Sequence, residues 1–140
     1  MKTTGYSGTP LTKKLGIKES FTLRIANPPD YYFDLLEDLP RNIDIRRERK
    51  TKKDFIHYFT TQAKELKKDL VSLKNEIVPN GMIWISWPKK SSGVITDVTE
   101  DVVRQLALAN GLVDIKVCAV DKVWSGLKLV IPVKDRNIKS

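Results

Sequence analysis

The sequence has very few of the residues that form disulfides, metal centres and nucleophilic active sites. Its 140 residues include one cysteine, Cys118, and one histidine, His57. One cysteine excludes a disulfide within the chain, and one cysteine with one histidine does not supply the ligands of a typical zinc site. Both residues lie in apolar stretches, DFIHYF and KVCAV, that predict buried positions. We therefore expect no bound metal, and we assign no catalytic residue.

Long apolar runs are absent as well. No run reaches the roughly 18 residues that a membrane span needs, and the first ten residues lack the apolar stretch of a signal peptide. Together with the single cysteine, this predicts a cytoplasmic protein with no membrane partner. Hydrophobic residues make up 41% and charged residues 30% of the chain, as in globular proteins. We expect one domain over residues 1–140, with a short helix in segment 1–20 and a frayed tail at 134–140.

Positive charge is abundant and unevenly placed. The formal net charge is +8, and residues 41–53 hold seven basic and two acidic residues. This basic stretch has two interpretations: a surface that binds nucleic acid or a phosphate-bearing ligand, or a solvated edge strand protected by its charges. Its candidate anion-binding residues are Arg46, Arg47, Arg49, Lys50, Lys52 and Lys53.

Hydrophobic periodicity indicates alternating strands and helices. The predicted helices are 9–16, 28–39, 63–77 and 98–110, and the predicted strands are 21–26, 42–49, 54–60, 82–87, 114–121 and 127–133. This order predicts an α/β fold with a mostly parallel, Rossmann-like sheet between two helical layers. The turn KVWSG is too short for a parallel crossover, so the last two strands form an antiparallel hairpin at the edge.

Polar residues follow several predicted strands. In such a sheet, ligands bind outside the carboxyl ends of the strands. The loop PKKSSG supplies charge, hydroxyls and a flexible glycine, as a small-anion or nucleotide site requires. The other interpretation is an ordinary solvated loop. The candidate ligand-binding residues are Asn27, Thr61, Trp87, Lys89, Lys90, Ser91, Ser92 and Gly93.

Residues 62–133 resemble the second half of class I S-adenosylmethionine-dependent methyltransferases. The turn VPNG before strand MIWISW is similar to the L-x-P-G-G turn of that family. The resemblance implies a Rossmann-like fold, but the family's glycine-rich cofactor loop has no counterpart in Ala26-Asn27-Pro28-Pro29-Asp30. Glycines let backbone N–H groups approach a cofactor, and prolines remove them. We therefore expect no S-adenosylmethionine cofactor, and no room for a full third strand.

A second resemblance spans nearly the whole chain. The stretches GYSGTPLTKKLGIK, WPKKSSG, TEDVVR and KVCAVDKVWSGLK are similar to a bacterial family called domain of unknown function 3052. This resemblance implies kinship without a particular chemistry. Three functions stay open: a non-catalytic methyltransferase-like domain that binds a ligand or partner at the strand ends, a nucleic-acid module, and an enzyme in which Lys89 and Lys90 clamp a phosphorylated substrate. The aromatic content also permits a homodimer.

Overall fold

A computed structural model describes residues 9–136, so the first part of segment 1–20 and the end of the 134–140 tail lie outside the described residues. The helices are α1 (Leu11–Leu15), α2 (Ala63–Asn75) and α3 (Glu100–Ala109). The strands are β1 (Thr22–Ala26), β2 (Asp44–Ile45), β3 (Lys53–Phe59), β4 (Ile77–Pro88), β5 (Val113–Ala119) and β6 (Trp124–Val130). Between residues 9 and 136, no helix is long and apolar enough to cross a bilayer.

The strands form one mixed sheet in the order β2-β1-β3-β4-β6-β5. The four strands from β2 to β4 pair in parallel, whereas β6 pairs antiparallel with β4 and with β5. The predicted α/β class, with a mostly parallel sheet and a terminal hairpin, is confirmed. β2 is the edge strand at one end of the sheet, and no further strand pairs with its outer side among residues 9–136. This agrees with the expectation that the chain has no room for a full third strand.

Hydrophobic side chains cover both faces of the sheet. One cluster joins Ile56 and Ile83 to Leu66 and Leu70 of α2 and to Val103 of α3. The other cluster, on the opposite face, joins Phe55 and Trp84 to α1 and to the segment after β1. Because both faces are packed, β3 and β4 read as continuous apolar runs, as buried parallel strands do. These two strands form the rigid centre from which the strand-end loops emerge.

The predicted helix 28–39 is wrong. Only a 3₁₀ turn, Tyr32–Leu35, forms there, and Asn27 has a left-handed φ of 57° instead of acting as a helix cap. The segment's backbone bonds elsewhere: the hydroxyl of Thr12 donates to the carbonyl of Glu37 at 3.0 Å. Tyr32 turns into the core. Tertiary hydrogen bonds and this buried ring replace the i to i+4 bonds of a helix.

The predicted strand 42–49 is reduced to the two residues of β2, and Ile45 is exposed. Its ladder with β1 ends where the amide of Arg46 bonds to the carbonyl of Leu23. From there the basic stretch turns back toward β3 in a loop. A strand of two residues cannot bury an apolar face, so the alternation of Ile43 and Ile45 overstated its length.

The turn VPNG expected before strand MIWISW does not separate a helix from a strand, because Pro79, Asn80 and Gly81 lie inside β4. The ladder between β3 and β4 skips here: Lys53 pairs with Ile77, and Phe55 pairs with Met82. This bulge absorbs the turn-forming residues. Glycine suits position 81, since a β-carbon there would lie 3.0 Å from the backbone oxygen of Lys53, which is tighter than ordinary van der Waals contact.

Two smaller predictions shift along the chain. The apolar spacing after residue 97 predicts a buried stripe of Val98, Val102, Leu106 and Ala109. Val98 is buried, but within α3 the buried positions are Val103 and Ala107, while Val102 and Leu106 are half-buried and Ala109 is exposed. Neighbouring stripes have the same helical period, so the sequence alone does not rank them. The hairpin turn occupies residues 120–123, and Trp124 already belongs to β6.

Candidate functional site

The turn after β1 lies where an open α/β sheet usually binds its ligand. The chain leaves β1 toward one edge of the sheet and leaves β3 toward the other, so the crevice of interest lies between the carboxyl ends of these two strands. The side-chain amide of Asn27 donates across this crevice to the carbonyl of Phe59, at 3.4 Å. Pro28 and Pro29 follow and have no N–H to offer a ligand. This turn therefore lacks the backbone donors of a cofactor loop.

Aromatic side chains fill the space beneath that turn. Tyr32 is buried, and its ring stands edge-on to Phe59 with ring centroids 5.5 Å apart. Its hydroxyl lies 2.9 Å from Nδ1 of His57, whose Nε2 lies 2.8 Å from the hydroxyl of Ser86. Burial lowers the pKa of His57 to about 3, so the imidazole is neutral near pH 7. With His57 fully buried, this chain of polar groups stabilises the core and has no access to a substrate.

The carboxyl end of β3 uses its polar groups internally. The Thr60 hydroxyl accepts the amide of Gln62 at 3.0 Å and lies 3.1 Å from a carboxylate oxygen of Glu65. The carbonyl of the predicted site residue Thr61 accepts the hydroxyl of Thr96 at 2.7 Å. These bonds tie the start of α2 to the loop after β4. They fix the shape of the edge and leave little unpaired hydrogen-bonding capacity there.

The carboxyl end of β4 opens into a groove of about 560 Å³, which we call the carboxyl-edge groove. Its lining residues are Trp87, Pro88, Lys90, Gly93, Val94, Ile95, Thr96, Val98, Thr99 and Glu100. Three of the eight predicted ligand-binding residues, Trp87, Lys90 and Gly93, are thus brought together. Asn27, Thr61, Lys89, Ser91 and Ser92 are not among the lining residues.

The rest of the PKKSSG loop is organised by its own hydrogen bonds. The amide of Lys89 donates to the carbonyl of Val123 at 2.7 Å, which joins this loop to the hairpin turn. The Ser92 hydroxyl donates to the carbonyl of Lys89 and accepts the amide of Val94. Gly93 has a φ of 78°, a left-handed conformation that glycine adopts without strain. Lys90 therefore enters the groove without Lys89, and no pair of lysines clamps an anion in it.

The carboxyl-edge groove is largely apolar. Trp87 and Val98 form its buried floor, while Val94 and Ile95 stand on its rim, with Ile95 95% exposed. Its charged lining residues are Lys90 and Glu100, and Glu100 is already paired with Arg104. Thr99 caps α3 by accepting the amide of Val102 at 3.2 Å. An apolar occupant with few charges suits these walls.

Sequence reasoning missed a bridge across the carboxyl edge. The carboxylate of Asp121 accepts the amides of Val123 and Trp124, both at 2.8 Å. Burial and, after it, the nearby carboxylate of Asp121 raise the pKa of Tyr31 to about 12. Trp124 stands edge-on to Phe59 with ring centroids 5.0 Å apart. An aspartate two or three residues before the amides it caps is a recognisable turn signal, but nothing in the sequence indicates the contact with Tyr31.

The predicted anion-binding residues lie away from this edge. Arg46 pairs with Asp44 and Glu48, at 3.0 and 3.2 Å. Lys53 is fully buried, with its ammonium 2.9 Å from the carboxylate of Glu76, so it is not part of the surface. This corrects the surface position expected for Lys53. The sequence around a lysine at the start of a buried strand does not show whether a distant carboxylate will pair with it.

The remaining four predicted basic residues stay at the surface. Arg47, Arg49 and Lys50 are exposed and have no hydrogen-bond or ion-pair partner among residues 9–136, whereas Lys52 donates to the carbonyl of Asn75. A backbone hydrogen bond from Thr51 lowers the pKa of Glu48 to about 2, so its carboxylate stays charged. The part of the basic stretch between β2 and β3 is therefore a folded loop with three unpaired cations, Arg47, Arg49 and Lys50. No group of three or more histidine, cysteine, aspartate or glutamate side chains in the described chain suits a metal ion.

Comparison with solved structures places this architecture among methyltransferase folds. An S-adenosylmethionine-dependent methyltransferase from Aquifex aeolicus matches with a TM-score of 0.60 and 17% identity, over 86% of this chain and 88% of that chain. The magnesium protoporphyrin IX methyltransferase from Synechocystis, with bound S-adenosylhomocysteine, matches with a TM-score of 0.57 and 8% identity, over 86% and 78%. The chain has a methyltransferase-like fold.

Neither a family model nor a curated protein matches the sequence. The resemblance to the domain of unknown function 3052 family therefore stays a prediction. At such low identities the structural matches establish the shared fold alone, and the chemistry has to be inferred from this chain's own residues.

Proposed function

We propose that the chain is a non-catalytic methyltransferase-like domain that binds a protein partner in the carboxyl-edge groove. The turn after β1 is the observation that supports the non-catalytic assignment. There, Asn27 spans the crevice, and two prolines stand where a cofactor loop needs backbone donors. A chain without a cofactor site has no methyl group to transfer, so this fold serves as a binding scaffold.

The second half of the proposal is supported by the exposed aliphatic side chains of the groove. Small-molecule sites enclose most of their ligand, whereas Val94 and Ile95 stand on the open rim of this groove. Isolated apolar residues are common on surfaces, but a groove with an apolar floor and apolar rim is typical of a protein interface. The expected occupant is an apolar segment of another protein, with a single acidic group opposite Lys90.

Thermal unfolding in S-adenosylmethionine tests the first half. A ligand at 100 times its dissociation constant stabilises the folded state by about 2.7 kcal/mol, which raises the melting temperature of a domain of this size by roughly 10 °C. We expect no shift with either S-adenosylmethionine or S-adenosylhomocysteine at millimolar concentration. A shift of several degrees, together with stoichiometric heat in calorimetry, would overturn the non-catalytic assignment.

Photocrosslinking tests the second half. A photoreactive amino acid at Ile95 is expected to capture a discrete protein in cells, whereas the same amino acid at Val71, which is also exposed but lies on α2, is not. The captured protein, once purified, should bind the chain at least tenfold more weakly after Ile95→Asp and unchanged after Val71→Asp. Equal effects of the two substitutions would contradict the groove as the binding site.

A further inference from the structure

The amino edge of the sheet, opposite the carboxyl-edge groove, carries a second groove of about 300 Å³, which we call the amino-edge groove. Three segments that are distant in sequence contribute one cation each: Lys52 before β3, Lys74 in the last turn of α2, and Arg136 after β6. Asp135 is the one acidic residue among its lining residues, and it is paired with Lys134 at 3.4 Å. The groove is therefore electropositive.

These cations keep donors available for a ligand. One hydrogen of the Lys52 ammonium is donated to the carbonyl of Asn75, which leaves two. Arg136 donates its Nε–H to the carbonyl of Ile131 at 2.8 Å, which leaves the two terminal nitrogens. The ammonium of Lys74 has no hydrogen-bond or ion-pair partner among residues 9–136. A groove with three such cations favours an anion that accepts several hydrogen bonds.

The basic loop, residues 46–52, continues this surface, because Lys52 belongs to both. The buried ammonium of Lys53 holds the loop from below by donating to the carbonyls of Glu48 and Thr51. The Glu48 carboxylate then accepts the amide of Thr51 at 3.0 Å and closes the turn. The loop thus has a fixed shape, which presents Arg47, Arg49 and Lys50 outward.

We propose that the amino-edge groove and the basic loop together bind the phosphate backbone of a single-stranded nucleic acid. Phosphates recur at every nucleotide, so one strand can engage cations along the loop and in the groove at once. A peptide would do so only with an uninterrupted acidic run. A groove of about 300 Å³ has the size of a small-ligand pocket, which favours one sugar–phosphate backbone over the width of a duplex. The surface is independent of the proposed function, which concerns the other edge.

Fluorescence anisotropy with a labelled oligothymidylate, measured at several salt concentrations, tests the proposal. Each phosphate contact with a single strand contributes about 0.7 to the slope of log K against log salt. The variant Lys52→Gln/Lys74→Gln/Arg136→Gln should lower that slope by about 2 and weaken binding at least about tenfold at low salt. The variant Arg47→Gln/Arg49→Gln/Lys50→Gln, which changes exposed side chains, should have a similar effect.

The matched control is Lys64→Gln/Lys67→Gln/Lys68→Gln, which removes the same charge from the exposed side of α2. It should leave the slope unchanged, and all three variants should remain folded; only the groove variant should lose some stability, about 1–3 kcal/mol, because Lys52 and Arg136 each donate a hydrogen bond to a backbone carbonyl. An equal loss of affinity in the control variant would show that binding follows net charge alone. The proposal would also be wrong if the wild type showed no salt-dependent binding. Tighter binding of a duplex, or equal displacement by polyglutamate, would refute the single-stranded assignment.

Discussion

Replacing Glu76 with glutamine removes the one carboxylate that neutralises two neighbouring strands. Glu76 follows α2, is almost completely buried, and pairs through one oxygen with Arg24 of β1 and through the other with Lys53 of β3. After Glu76→Gln, the ammonium of Lys53 stays buried with two carbonyl oxygens and no counter-charge. Uncompensated buried charges of this kind cost about 3–5 kcal/mol of the free energy of unfolding.

Urea unfolding measures this loss. With an m-value near 2 kcal/mol/M, the expected loss lowers the midpoint by roughly 2 M without changing m. A second variant isolates the cause: Lys53→Met removes the buried cation, so Glu76→Gln/Lys53→Met should recover a large part of the stability lost in Glu76→Gln. Arg24 is partly exposed and can rehydrate in both variants. A loss below about 1 kcal/mol for Glu76→Gln, or a double variant no more stable than the single one, would refute the reasoning.

Three further predictions concern other buried groups. His57 should stay neutral down to acidic pH, because its pKa is about 3 in the folded state and about 6.5 in the unfolded state. Its contribution to the free energy of unfolding is complete above pH 6.5 and is lost at up to about 1.4 kcal/mol per pH unit as pH falls toward 3. The single imidazole NMR signal should therefore not titrate above pH 5. Asp121→Ala should lower the unfolding free energy by about 1–3 kcal/mol, because two turn amides lose their acceptor, and should red-shift the emission of Trp124; unchanged emission and stability would contradict the bridge. Gly126→Ala should cost about 1–3 kcal/mol in urea unfolding, since its β-carbon would lie 3.1 Å from the Trp84 ring, whereas Gly93→Ala meets no atom within 4 Å and bears only the smaller strain of its positive φ.

Sequence periodicity located the central helix and strands because the side chains that they bury follow a regular spacing along the chain. The apolar steps of Leu66, Leu70 and Leu73 predict α2 to within two residues, and the apolar run after Gly81 predicts the core of β4. Here the local pattern and the tertiary packing agree, and the order of elements then determines a parallel sheet with a hairpin.

The wrong predictions share a different cause: the residue concerned bonds to a partner that is distant in sequence. Tyr32, predicted to lie in a helix, instead bonds to His57 in the core. Lys53, predicted to lie at the surface, instead pairs with the buried Glu76. The candidate site shows the same effect: Trp87, Lys90 and Gly93 meet in one groove, while the Ser92 hydroxyl is used by its own loop. Partners many residues away leave no trace in local periodicity, so the amino-edge groove could not be predicted at all.

The twelve residues of β4 extend from one groove to the other. Ile77, Val78 and Pro79 line the amino-edge groove, and Trp87 and Pro88 line the carboxyl-edge groove. Because of the bulge, Ile77 and Met82 lie only two ladder steps apart, and six more steps lead to Pro88; at about 3.3 Å per step the two ends are roughly 26 Å apart. The two grooves share no lining residue, and the strand that joins them is packed on both faces. With both proposed sites occupied, the domain would hold its two occupants at the separation that β4 sets.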